Sequence, residues 1–206
     1  MRGYGRSKDL EGAYTLEEVT QDCLALADHL GWEHFHVVGH SMTGLAVQHL
    51  NATALERMVS VTPITPVPAT GSPIPEDFLE VIRQGVRGDD AIMSDIIGGT
   101  TGGRYSGANI CYKLKQFRET ATVDARLGYL KMFTENDIST QVQGLETPYH
   151  VIIGRCDSKW HNCEVIENSF GVYFPNCIMT EIADAGHCPM YDTPPLFWQD
   201  ISKTLF

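Results

Sequence analysis

The chain is 206 residues long, which fits one domain with an appendage. It carries 15 Lys and Arg against 26 Asp and Glu, and the resulting net charge of −11 opposes binding to nucleic acid or to an anionic membrane face. Hydrophobic residues at 43% and charged residues at 20% exclude a disordered chain, and no apolar run is long enough to span a membrane.

The opening Met1-Arg2-Gly3-Tyr4-Gly5-Arg6 lacks the apolar core of a signal peptide. Six cysteines (Cys23, Cys111, Cys156, Cys163, Cys177 and Cys188) follow no CxxC spacing. Together these point to a reduced, cytoplasmic protein with free thiols.

Thr15 followed by Glu18 is a capping box, and Leu16, Val19, Cys23, Leu26 and Leu30 then fall on one helical face as far as the stop at Gly31. Phe35 to Gly39 is β-prone, residues 42 to 54 read as helix, and Met58 to Val61 reads as a strand ended by Pro63. Pro66, Pro68, Gly71, Pro73 and Pro75 open a zone of different character. Within it, Glu76 to Gln84 and Tyr112 to Phe133 look helical, with a glycine-rich stretch from Gly98 to Gly107 between them. Tyr149 to Ile153 is apolar on both faces, as a buried parallel strand should be. A helix over 161–170, a strand over Cys177 to Ile182 and a helix from Pro194 to Phe206 complete the pattern. Alternation of this kind predicts an α/β fold, a mostly parallel sheet flanked by helices. Residues 1–63 and 146–206 would form its core. Residues 64–145 would be a helical insertion, either a lid or surface helices with no gating role.

Chemistry concentrates at three loops. In Gly39-His40-Ser41-Met42 a serine sits where a strand ends and a helix begins, a sharp turn that exposes its hydroxyl. Thr43 occupies a position where a small residue is usual. A serine hydroxyl needs a base, and His187 in Ala185-Gly186-His187-Cys188-Pro189 follows a strand. The imidazole needs a carboxylate, and Asp157 in Gly154-Arg155-Cys156-Asp157 also follows a strand, with Asp184 as its rival. His34, His36 and His40 read as structural or exposed, with pocket lining as the alternative for His40 beside Ser41. Cys156, Asp157, His161 and Cys163 fit no tetrahedral zinc spacing and read as packing residues. Met93, Ile96, Ile97, Met132 and Phe133 fit either an acyl pocket or helix packing.

The order Ser, Asp, His in loops after strands resembles the α/β-hydrolase superfamily in its capped, esterase-like branch. Four segments carry the resemblance: Arg2 to Ser7, Gly39 to Met42, Thr147-Pro148 through Asp157, and Ala185 to Pro189. It implies a serine hydrolase acting on small apolar carboxylic esters or thioesters. Ser41 would be the nucleophile, His187 the base and Asp157 its partner. Met42 N–H would hold an oxyanion and His40 would line the substrate pocket. No cofactor and no metal are implied. Carbon–carbon bond hydrolysis, lactone opening and perhydrolysis stay open, as does a non-catalytic or impaired scaffold. Ser41 disfavours haloalkane and epoxide chemistry, which use a carboxylate there in the family.

The resemblance starts inside a segment that follows the fourth strand in the family. The earlier strands, and the loop with the second oxyanion donor, are expected to be missing. The Phe35–Val38 strand then becomes an apolar edge. Two alternatives follow: self-association through that edge, or a chain shortened from a longer protein.

Overall fold

The computed structural model describes residues 1–205. Its sheet has four strands, β1 (Phe35–His40), β2 (Met58–Ile64), β3 (Tyr149–Gly154) and β4 (Cys177–Ile182), in the spatial order of the chain. All three pairings are parallel, so each strand returns through a crossover. These crossovers are helical. α1 (Leu16–His29) precedes β1, and α2 (Met42–Thr53) joins β1 to β2. α3 (Glu76–Arg87), α4 (Asp90–Gly99), α5 (Gly107–Thr120), α6 (Val123–Glu135) and the short α7 (Ser139–Val142) lie between β2 and β3. α8 (Cys163–Tyr173) joins β3 to β4, and α9 (Pro189–Asp192) and α10 (Pro194–Leu205) close the described chain. Among the described residues no helix is long and apolar enough to cross a membrane, and all six cysteines are free.

The main core forms where α2, α6 and α8 meet the sheet, around Leu45, Val61, Tyr129, Val151, Ile153 and Phe170. β3 is buried at every residue, as its continuous apolar run predicts. Among the described residues β1 pairs only with β2, which makes it an edge strand, and it leaves Val38 42% exposed.

Three local expectations need correction. Thr15 caps α1 through the Glu18 N–H at 3.2 Å, yet the expected apolar face holds only for its first turns. Leu16 and Val19 are buried, whereas Cys23, Leu26 and Leu30 are exposed. The second half of α1 packs through Thr20, Leu24 and Ala27 instead. β2 does not stop at Pro63 but runs through it. Val61 N–H donates to the Pro148 carbonyl and Thr65 N–H to the Ile152 carbonyl, and Pro63 is the one β3-facing position between them, where no donor is available. The helix expected over Tyr112 to Phe133 is two helices, broken at Ala121 and Thr122. Ala121 is extended and bridges to Tyr4, Thr122 N–H donates to the Gly3 carbonyl, and the Thr122 hydroxyl caps α6.

Candidate active site

Ser41 lies between β1 and α2 with φ 56° and ψ −121°, a region that side-chain-bearing residues avoid. The turn is held by Ser41 N–H donating to the Ile64 carbonyl at 3.0 Å. The Ser41 carbonyl accepts from Gly44 N–H at 2.8 Å and Val67 N–H at 3.1 Å. Glycine is required at residue 39, because a Cβ there would collide with the Thr43 carbonyl. Thr43 is not a misfit. Its hydroxyl donates to the His40 carbonyl at 2.8 Å and accepts from His40 N–H at 2.9 Å, closing the turn.

The three loops converge. His187 Nε2 is 2.8 Å from Ser41 Oγ, and His187 Nδ1 is 2.7 Å from Asp157 Oδ2. The Asp157 side chain has no exposed surface, and its Oδ1 accepts from Ser158 N–H at 2.6 Å. The rival Asp184 is exposed and is not the carboxylate that meets His187. A hydroxyl, an imidazole and a buried carboxylate in this line can pass a proton from oxygen to nitrogen and stabilise the imidazolium that results. Met42 opens α2, so its N–H lacks an intrahelical acceptor.

Of the two readings of His40, the structural one fits: it is not in the lining of the cavity beside Ser41. Its Nε2–H donates to the His187 carbonyl at 2.7 Å, and Thr65 Oγ donates to the same oxygen at 2.9 Å. Thr65 is itself at φ 39°, a strained setting for a β-branched residue. His187 N–H donates to the Thr100 carbonyl, and Gly186 N–H to Asp192 Oδ2, whose Oδ1 takes the Tyr105 hydroxyl. His36, by contrast, pairs with Ser60 on β2.

A second histidine, expected from the sequence to be a packing residue around the Asp157 loop, lies against His187. The His161 ring lies 4.7 Å from that of His187, with Nδ1 3.2 Å from Ser158 Oγ and a buried Nε2 that has no partner. Burial, reinforced by His187, pushes both His40 and His161 down to about 4, so both stay neutral near pH 7. The spacing of His161 from Asp157 raises a metal site in sequence but gives no sign that its ring meets His187. Asp157, His161 and His187 also form a grouping that could hold a metal, with donor atoms within 4.8 Å of one another. Two of the three are already hydrogen-bonded to each other. Cys156 and Cys163 do not join it.

Ser41, His161 and His187 open onto a cavity of about 570 Å³. Its cap side is mostly apolar, with Phe78, Val81 and Ile82 from α3, Ile92 and Ile96 from α4, and Phe133 from α6, and the lining also includes the charged Asp95 and Lys159. Of the five candidate pocket residues, Ile96 and Phe133 are in the wall. Met93 and Met132 are buried in helix packing, and Ile97 is not in the wall.

The alpha/beta hydrolase family model matches residues 1–199. The chain belongs to this family. Several solved structures share its fold. A bromoperoxidase from Bacillus anthracis superposes with a TM-score of 0.84 at 20% identity, covering 99% of this chain and 79% of that one. An esterase from Exiguobacterium antarcticum gives 0.86 at 11% identity, covering 99% and 78%. An enol-lactonase from Burkholderia xenovorans gives 0.79 at 21% identity, again covering 99% and 78%. At such identities the likeness speaks to fold alone. No curated protein matches the sequence.

Proposed function

We propose that this alpha/beta hydrolase is a serine hydrolase that cleaves small, largely apolar carboxylic esters or thioesters through an acyl-enzyme. The single observation that carries the reading is the Ser41–His187–Asp157 line at 2.8 and 2.7 Å, opening on a mostly apolar cavity. His187 takes the Ser41 proton as the hydroxyl attacks the carbonyl carbon. Asp157 holds the imidazole in the tautomer whose Nε2 faces Ser41. Met42 N–H stabilises the oxyanion. The neutral His40 and His161 do not compete for the proton, so His187 delivers it to the leaving oxygen. Water, activated by His187, then releases the acid. α3, α4 and α6 serve as a cap that keeps the acyl portion in an apolar wall, which favours carbon chains over charged acids.

The test is hydrolysis of p-nitrophenyl butyrate. The wild type turns over, and Ser41→Ala loses roughly 10⁴- to 10⁶-fold in kcat. Equal rates for the two proteins reject the reading and leave a non-catalytic scaffold.

A further inference from the structure

Two hydrogen bonds hold the His187 ring, one at each nitrogen: Nδ1 to Asp157 Oδ2 at 2.7 Å and Nε2 to Ser41 Oγ at 2.8 Å. The second lasts only while Ser41 keeps its free hydroxyl. Once that oxygen is acylated, Nε2 loses its partner, yet the ring must stay in place to meet a water molecule. The outer torsion of a histidine side chain is broad, so a single bond at Nδ1 leaves the ring room to turn. What holds it at that stage must touch its faces.

The Asp157 loop supplies such a contact. His161 lies four residues beyond Asp157, with its ring centroid 4.7 Å from that of His187 and the planes inclined at 55°. The His40 ring is a second neighbour at 5.1 Å. Of the two, His161 is the one that lines the cavity, the open space into which the His187 ring would swing. With its neighbours in place, the His187 side chain is only 12% exposed. His161 is itself pinned to the same loop. Its Nδ1 pairs with Ser158 Oγ at 3.2 Å, and Ser158 N–H donates to Asp157 Oδ1 at 2.6 Å. Its Nε2 is buried without a partner, so the ring serves His187 by contact and not by a further hydrogen bond. Held neutral by burial, it sets no positive charge beside the imidazolium. One loop therefore carries both the carboxylate that orients His187 and a ring that walls it.

We propose that His161 is a positioning residue whose ring keeps the His187 imidazole in line in the acyl-enzyme, when Ser41 no longer holds it. The inference rests on the serine hydrolase reading and assigns a residue to its second step. In that step His187 Nε2 takes a proton from water as the water oxygen bonds to the acyl carbon. The proton then passes to the Ser41 oxygen as its bond to the acyl carbon breaks.

The experiment is stopped-flow hydrolysis of p-nitrophenyl butyrate by the wild type, His161→Asn and His161→Phe, with melting temperatures as folding controls. Asparagine keeps a polar atom within reach of Ser158 and loses the ring, whereas phenylalanine keeps a ring and loses the polar atom. His161→Asn should release one p-nitrophenol per active site in a burst and then turn over at least about tenfold more slowly. KM should fall in step, leaving kcat/KM within about threefold of wild type. His161→Phe should stay within about threefold of wild type in kcat. An asparagine variant with wild-type kcat and no burst, or equal losses in the two variants, overturns the inference. The Nδ1 proton of His187 gives a second reading that needs no turnover. In Ser41→Ala protein, which lacks the Nε2 partner, its low-field proton NMR resonance should persist, and adding His161→Asn should remove it through exchange with water. A resonance that survives in the double variant, or is already lost from Ser41→Ala, also overturns the inference. If the wild type hydrolyses no ester but the resonance behaves as expected, the hydrolase reading falls and the positioning role stands.

Discussion

Thr43→Val is the sharpest probe of the turn that carries Ser41. Valine keeps the shape of threonine and removes one oxygen. That oxygen serves both His40 N–H and the His40 carbonyl, at 2.9 and 2.8 Å. β1 is an edge, and Ser41 N–H points inward to the Ile64 carbonyl. By the alternation of a strand, the polar groups of His40 therefore face the open side. The Thr43 hydroxyl is what covers them. A neutral hydrogen bond is worth about 1 kcal/mol net, so losing two costs about 2 kcal/mol. For a chain of this size 1 kcal/mol moves the melting temperature by about 2–4 °C, so the drop is roughly 4–8 °C. Thr43→Ser keeps the oxygen and stays near wild type. Thr43→Gly restores the residue type common at this position but loses both bonds and adds about 0.3 kcal/mol of helix penalty relative to threonine. It falls further than valine. Thermal unfolding by far-UV circular dichroism measures all three. A Thr43→Val protein that melts with the wild type refutes the role assigned to the hydroxyl.

His40 and His161 are held neutral, with folded-state values of about 4 against an ordinary 6.5. The unfolded chain therefore binds more protons below about 6.5, and stability is lost as pH falls from there toward about 4. Each histidine contributes on the order of 3 kcal/mol to that loss. His40→Gln, whose amide can still donate to the His187 carbonyl, should flatten the fall. Melting temperatures that hold level from pH 7 to pH 4.5 contradict this assignment. Asp157→Asn preserves the fold but presents an amide to His187 Nδ1, which favours the wrong tautomer. It should lower kcat by roughly 10⁴-fold on p-nitrophenyl butyrate, with KM little changed. Wild-type turnover in that variant would mean that another group orients the imidazole.

Much of this was legible in the sequence because short-range chemistry fixed it. The apolar run at Tyr149 to Ile153 can only be a buried strand, and Thr15 with Glu18 announces a helix start. Gly39-x-Ser41 between a strand and a helix marks an elbow. What was not legible depends on partners distant in the chain. The face of α1 turns on how α2 packs against it, and the break between α5 and α6 is held by Gly3 and Tyr4. The proline in β2 looked like a stop because a sequence does not say which neighbour a given N–H faces. His161 and Thr65 carry no motif; they meet His187 across 26 and 122 residues respectively. His40 sits beside Ser41 in sequence, yet its ring serves the His187 backbone from behind.

The account stands on an activated hydroxyl at Ser41. A fluorophosphonate reports that directly, since phosphonylation requires a base-assisted serine, and intact-mass and peptide analysis locate the adduct. The folded protein should gain a single phosphonyl group on the peptide containing Ser41, and His187→Ala should lose that reaction while remaining folded. A folded wild type that takes up no label, or takes it up on another residue, contradicts the account.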